Sequence, residues 1–241
     1  MPDQVASEAT RYKQQAAERA VDLVSSGMVV GLGTGTTSVF AIRRLGQLLR
    51  TGQLRDVVGV PTSLAVEREA REWGIPTREL EGGREVDITI DGADQVDPAL
   101  DLIKGHGGAL LREKIVAQAS RREVIVVDQS KLSPRLGSRC ALPVEVVRFS
   151  WRAQVGFLES LGASVEVRTG TDGAPLPTDQ DNLVLLAAFG PIESPTQLAD
   201  RLAARAGVVA HGLFLGLATD LIVAGPAGIE HRTRPVGDLP G

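Results

Sequence analysis

Over the first 130 residues the apolar positions switch between two spacings, and the switching predicts strands and helices in turn. Residues 7–26 space their apolar side chains helically and stop at Ser25, Ser26 and Gly27, a usual helix end. Met28–Leu32 (MVVGL) is a short apolar run between glycines, the pattern of a parallel strand buried on both faces. A glycine–hydroxyl loop, GTGTT at 33–37, follows it, and Ser38–Leu49 reads as a helix. Asp56–Val60 predicts a second strand, and Leu64–Trp73 a helix closed by Gly74. Val86–Ile90 predicts a third strand, Ala109–Ala119 a helix and Glu123–Val127 a fourth strand. Strands alternating with helices predict an α/β fold with a doubly wound, mostly parallel, Rossmann-like sheet.

The pattern changes after Lys131. Leu142–Phe149 predicts a strand, Trp151–Leu161 a helix closed by Gly162, and Ala163–Arg168 a strand. A loop rich in Gly, Asp and Pro follows at 169–182, read as exposed, either a lid or a contact surface. Then come a strand at Leu183–Ala188, a helix at Pro195–Ala206 and a strand at Val208–Leu213. This twofold β-α-β order predicts a smaller inserted α+β unit of ferredoxin-like type. The expected division is residues 1–138 plus 214–241 for the Rossmann-like part and 139–213 for the insert. Leu221–Val223 is expected to return to the first sheet, and the Pro/Gly-rich tail Gly225–Gly241 to be ragged.

Composition narrows the function classes. The chain has 241 residues, 43% apolar and 23% charged, enough to bury a full core as one large or two small domains. A formal charge of −4 argues against nucleic acid as a partner, although a local cationic pocket would escape such a count. Cys140 is the lone cysteine, so neither an intrachain disulfide nor a cysteine zinc cluster is expected. His106, His211 and His231 lack metal-ligand spacing, and no metal or cofactor is expected. No apolar run reaches the roughly 18 residues of a membrane span, and the polar start MPDQVASEATRYKQQ is unlike a signal peptide. The expected location is the cytoplasm.

The chemistry concentrates in residues 91–114, DGADQVDPALDLIKGHGGALLREK. Asp91 and Asp94 stand three apart directly after the apolar run Val86, Ile88, Ile90. Lys104 heads the cluster Gly105, Gly107, Gly108, and a helical run then carries Glu113 and Lys114. A polar turn and a solvated helix face would also give this pattern, but glycines also let backbone approach a ligand closely. The GTGTT loop is a second candidate, since a helix start offers open N–H groups and partial positive charge to an anion. It lacks the third glycine of a dinucleotide fingerprint, where Thr36 stands, and the lysine of a Walker loop, so it favours a phosphate monoester. Gly/Thr loops also occur simply as helix caps. Both stretches, with Asp128–Lys131, fall at carboxyl ends of predicted strands, where open parallel sheets bind ligands.

Taken together these segments resemble ribose-5-phosphate isomerase type A along essentially the whole chain. The matching stretches are GLGTGTTS from Gly31, PTS at 61, TIDGADQVD at 89 and KGHGGALLREK at 104. VDQSK at 127, LPVEV at 142 and the late LFLG and LIVAG runs match as well. The resemblance implies a two-domain, metal-free homodimer or homotetramer. It would interconvert ribose 5-phosphate and ribulose 5-phosphate in the non-oxidative pentose phosphate pathway. It places the phosphate loop on Thr34, Gly35, Thr36 and Thr37, and the carboxylate turn on Asp91, Gly92, Ala93 and Asp94. The lysine–glycine loop falls on Lys104, Gly105, His106 and Gly107, the base on Glu113, and further substrate-binding lysines on Lys131 and Lys13. His106 departs from the pattern, since many relatives carry glycine there. The expectation is that it offers backbone N–H with its ring turned outward, rather than a strained φ > 0.

In that chemistry Glu113 removes the proton alpha to the carbonyl, and Lys104 steadies the enediolate oxygen. Asp91 would assist ring opening or shuttle hydroxyl protons, and Asp94 would hold Lys104 or bind a sugar hydroxyl. Two rivals are an amino-sugar-phosphate deaminase and the sugar-phosphate-sensing domain of a transcriptional regulator. The first is not expected to carry the DGAD…KGxG…REK set. The second would need a DNA-binding head, for which no segment before residue 28 reads.

Overall fold

The structure, a computed structural model, describes residues 2–235, with side chains from Glu8 onward. The chain runs through α1 (Pro2–Val21), β1 (Val29–Leu32), α2 (Ser38–Arg50), β2 (Val58–Pro61), α3 (Leu64–Glu72) and β3 (Ile88–Asp91). Two short strands follow, β4 (Gln95–Val96) and β5 (Leu102–Ile103), then α4 (Leu110–Gln118), β6 (Glu123–Asp128) and a 3-10 turn at Gln129–Lys131. The next elements are β7 (Leu142–Val146), α5 (Arg152–Ser160), β8 (Ser164–Val167), β9 (Leu183–Ala188) and α6 (Pro195–Ala203). Last come β10 (Val208–His211), β11 (Leu213–Phe214), β12 (Asp220–Gly225) and β13 (Gly228–Thr233). They form two compact units. Among the described residues, the larger takes the chain up to Ala93, then Arg112–Lys131 and the stretch from Gly216 on; the smaller takes Asp94–Leu111 and Leu132–Leu215. Residues 94–111 and 132–138, left with the larger part by the sequence boundaries, thus belong to the smaller unit.

The larger unit is built on a six-stranded sheet in the order β13-β12-β6-β3-β1-β2. Its pairs are parallel except that of β12 with the edge strand β13. Strand side chains alternate between faces. Val30, Ile88, Ile90, Val124 and Val126 pack with Ala16 and Ala20 of α1 and with Ile42 and Leu45 of α2. On the other face Val116 and Ala119 pack with Val60 and Val86. The expected return of Leu221–Val223 to this sheet is observed as β12, parallel to β6. The expected ragged tail is not. Residues 228–233 pair antiparallel with β12 over six positions, from Gly225↔Gly228 to Asp220↔Thr233. Its side chains are largely exposed, so it carries no apolar stripe from which a strand could be read. Residues 236–241 of the predicted tail lie outside the described residues.

The smaller unit carries a four-stranded antiparallel sheet in the order β10-β7-β9-β8, entered in the sequence β-α-β-β-α-β, as the ferredoxin-like reading expects. Val144, Val146 and Leu185 pack with Leu158 of α5 and Leu202 of α6. A second, three-stranded sheet runs β11-β5-β4. The single strand expected at Val208–Leu213 is therefore divided between two sheets. The division falls at Gly212, whose N–H donates to Pro143 O (2.7 Å) and whose carbonyl accepts the Lys104 N–H (2.9 Å). A Cβ there would lie 2.2 Å from Lys104 O, so the close backbone crossing admits only glycine.

One buried polar cluster ties the larger unit together at the amino edge of its sheet. Asp220, only 3% exposed, accepts from Arg122 Nη2 (2.7 Å), His231 Nε2 (2.8 Å) and Thr219 Oγ1 (2.6 Å). Burial pushes this carboxyl up, but the bonds from Arg122, Thr219 and His231 outweigh it and hold the pKa below the ordinary 3.8. A lowered folded-state pKa gives stability that is complete above the ordinary value and lost as pH falls through the lowered one. Breaking the cluster should cost about 2 kcal/mol, less than a fully dry pair because Arg122 is partly exposed. Asp220→Asn is expected to lower the melting temperature by about 5 °C at neutral pH. The gap from the native protein should narrow below about pH 4, and a gap independent of pH would contradict the ionic account.

Candidate functional site

In the larger unit the predicted residues gather at the carboxyl edge of the sheet, where β1, β3 and β6 are neighbours. From β1 the chain continues to β2 on one side and to β3 on the other, the kind of reversal at which open sheets bind ligands. Asp91 is the last residue of β3 and is fully buried. Its Oδ1 accepts the Gly92 amide at 2.7 Å and the Ser38 hydroxyl at 3.3 Å. Gly33, the first residue past β1, donates its amide to Ile90 O (3.0 Å). A Cβ on Gly33 would stand 2.2 Å from Asp91 Oδ1 and 2.5 Å from Asp91 Cα, so glycine is what lets the loop cross this carboxylate.

Hydroxyls fasten the next residue. Thr34 Oγ1 lies 2.8 Å from Thr62 Oγ1 and 2.9 Å from Ser63 Oγ. The Thr62 hydroxyl donates to Leu32 O (2.9 Å), and Ser63 Oγ caps α3 by accepting the Val66 amide (3.1 Å). Past this anchor Gly35, at φ +130, and Thr36 are exposed. Thr37 is the N-cap residue of α2, yet its side chain makes no capping bond. Among the described residues the amides of Thr36, Thr37 and Ser38 meet no acceptor. Lys13, on α1, brings Nζ to 3.1 Å from Thr36 Oγ1. Open amides, hydroxyls and an ammonium at a helix start can together hold an anion.

Two further predicted residues belong to this unit. Lys131 sits half-buried on the turn after β6, which Asp128 Oδ1 opens by accepting the Ser130 amide at 2.9 Å. Glu113 is buried, 5% exposed, in the first turn of α4. Its neighbour Lys114 has its pKa lowered to about 8 by burial. Ala93, half-buried, ends this segment of the unit.

In the smaller unit the structure brings together Asp94, Lys104, Gly105, His106 and Gly107. Lys104 follows β5, is only 2% exposed, and sets its ammonium 5.6 Å from the centre of the Phe214 ring. That contact stabilises a cation withdrawn from water. Gly105 (φ +111) and Gly108 (φ +87) take the left-handed conformations of the loop, and His106 does not. His106 donates its backbone N–H to Asp94 Oδ2 at 3.1 Å, as expected. Its ring, however, is not turned outward. Nδ1 stands 3.5 Å from Asp94 Oδ1 and Nε2 3.0 Å from Ala141 O, because a carboxylate and a carbonyl both offer acceptors there. Burial would raise the Asp94 carboxyl, but the hydrogen bonds and charge of His106, with the charge of Lys104, outweigh it and lower its pKa. Asp94 thus fastens the glycine loop as a carboxylate.

Four contributors escaped the sequence reading. The Thr62 and Ser63 hydroxyls were visible as the PTS segment but carried no assigned role. Phe214 beside Lys104 lies within a segment singled out only as a match. Arg168, 62 residues from His106, donates from Nε to His106 O (3.0 Å) and from Nη2 to Gly107 O (2.8 Å). Nothing local in its sequence marks it.

The description "Ribose 5-phosphate isomerase A (phosphoriboisomerase A)" belongs to the family model that matches residues 58–228. The chain is 57% identical over 221 residues to ribose-5-phosphate isomerase A of Chloroflexus aurantiacus, covering 92% of each chain. It is similar to a solved D-ribose-5-phosphate isomerase in complex with phospho-erythronic acid, with a TM-score of 0.90 at 36% identity over 93% of this chain and 98% of that one. It is equally similar to ribose 5-phosphate isomerase from Plasmodium falciparum, with a TM-score of 0.90 at 37% identity over 93% and 98% of the two chains.

The loop geometry makes a direct forecast. Inorganic phosphate should bind about tenfold more weakly to Lys13→Met, the loss of one charged hydrogen bond. Thr36→Val should weaken it less, and titration calorimetry on the folded variants measures both. Native affinity in the pair would count against the anion site.

Proposed function

The chain belongs to the ribose 5-phosphate isomerase A family, and from that premise we infer how its own residues interconvert D-ribose 5-phosphate and D-ribulose 5-phosphate. It is an aldose–ketose isomerase. The reaction takes a proton from C2 of the open-chain sugar, passes through an enediolate and returns a proton to C1. It needs an anchor for the phosphate, a base of the right reach and a charge beside the developing oxyanion.

The observation that carries the assignment is a buried acid and a buried lysine within one short stretch of chain. Glu113 is 5% exposed and Lys104 2% exposed, and burying such groups carries a desolvation cost that an apolar core would not. Glu113 is the proposed base between C2 and C1. Lys104 is the proposed partner of the enediolate oxygen, its charge already withdrawn from water. Asp91 handles hydroxyl protons during ring opening, while Asp94 keeps the lysine–glycine loop in place through the His106 amide. Gly92, Ala93, Gly105, His106 and Gly107 meet the sugar, with the Ala93, Gly105 and Gly107 amides toward its oxygens because Asp91 and Asp94 already hold those of Gly92 and His106. Thr34, Gly35, Thr36 and Thr37 receive the phosphate, with Lys13 and Lys131 adding charge. A relative's complex with phospho-erythronic acid, a phosphorylated sugar acid, supports a ligand of this kind.

The same reading carries coarser expectations. The enzyme would serve the non-oxidative pentose phosphate pathway as a cytoplasmic homodimer or homotetramer, without metal or cofactor. Among the described residues no helix is long and apolar enough to cross a membrane. A sugar-phosphate sensor would bind the same ligand without needing Glu113. Conversion of ribose 5-phosphate, followed with chelator present, separates the two.

Glu113→Gln should keep ribose 5-phosphate affinity within about twofold while kcat falls at least about a hundredfold. Near-native turnover would remove Glu113 as the base.

A further inference from the structure

We propose that Arg168 is a positioning residue for the isomerisation, holding the glycine loop after Lys104 and through it the Lys104 ammonium. This rests on the reading of Lys104 given above. The loop is intrinsically loose. Three of its residues 105–108 are glycines, and fixing one residue's backbone costs about 1–2 kcal/mol, more for glycine. Its own turn closes with a single bond, Gly108 N–H to Gly105 O at 2.9 Å. Gly107 is exposed, with nothing near the place a Cβ would occupy. Such a segment does not hold a buried lysine still unless it is braced.

Arg168 supplies the brace. Its planar fork puts Nε on His106 O at 3.0 Å and Nη2 on Gly107 O at 2.8 Å, two successive carbonyls gripped by one rigid group. The guanidinium also lies close against the next residue. A Cβ on Gly108 would be 2.7 Å from Nη1, a second reason for glycine at a position whose φ already demands it. The brace has a firm base. The Arg168 amide donates to Val184 O of β9, and its carbonyl accepts the Leu176 amide, both at 2.9 Å. On the other side of the same residue, the His106 N–H is held by Asp94. Among the described residues Arg168 has no carboxylate partner, so its hydrogen bonds go to the loop rather than to an ion pair. Burial lowers its pKa, which fits a cation partly withdrawn from water.

A lysine displaced by about 1 Å from a developing oxyanion costs up to about a hundredfold in rate. Arg168→Ala is therefore expected to lower kcat at least about tenfold, with KM changed less than about threefold, because substrate anchoring at the phosphate loop is untouched. The decisive comparison is a double-mutant cycle with Lys104→Met. In the Lys104→Met protein, Arg168→Ala should lower the residual kcat by less than about twofold. Multiplying losses would mean that Arg168 acts apart from Lys104 and would overturn the proposal. Native kcat in Arg168→Ala, with Lys104→Met impaired, overturns the proposal alone. Native kcat in Lys104→Met overturns the Lys104 reading and this inference with it. If Arg168→Ala does not fold, Arg168→Lys keeps the charge but loses the fork, and a native kcat there overturns the proposal equally.

Discussion

Withdrawing an ionisable side chain from water is among the more expensive acts available to a folding chain, and this one does it repeatedly at loop ends. Asp91 is wholly covered, and Lys104 and Glu113 nearly so. Around the first two the neighbouring sequence is shaped by what must compensate the burial. Beside Asp91 that means an amide from Gly92, a hydroxyl from Ser38, and at Gly33 the absence of any side chain. Beside Lys104 it means the Phe214 ring and the charge of Asp94. Glycines and hydroxyls at these positions follow from the buried charges rather than from turn-making alone.

The placement of the loops follows from the sheet. Parallel strands buried on both faces leave only their ends open, and the chain reverses direction of travel across the sheet at β1 and β3. The anion site proposed for Lys13 and the start of α2 lies at that edge, next to the strand that ends in Asp91. The Asp220 cluster stands at the other edge and joins β6, β12 and β13, so the two polar networks of this unit divide their tasks. One ties strands together. The other, on the proposed reading, presents donors to an anion and a carboxylate to the sugar.

Much of this was legible in the sequence because it rests on local rules. Short apolar runs marked β1, β3 and β6 within a residue or two, and the change of rhythm after Lys131 marked the ferredoxin-like sheet. What was not legible depends on contacts far apart in sequence. Gly212 divides one apolar run between two sheets because Lys104 crosses it, and no pattern around 212 records that crossing. The strand β13 is an edge with exposed side chains, so hydrophobic spacing cannot show it. His106 looked like a stray substitution until Asp94 and Ala141 supplied acceptors for its ring. Arg168 required the smaller sheet to be folded before its partners existed.

The central claim is that Glu113 passes a proton between C2 and C1 through an enediolate. Running the reaction in deuterium oxide and following the sugar carbons by NMR tests it most directly. The native enzyme should place solvent deuterium at C1 of ribulose 5-phosphate, and Glu113→Gln should lose exchange and turnover together. Native turnover with no solvent deuterium at C1, even when exchange of the abstracted proton is given time to compete, would indicate direct hydrogen transfer between the carbons. Exchange at the native rate in Glu113→Gln would show that another group is the base.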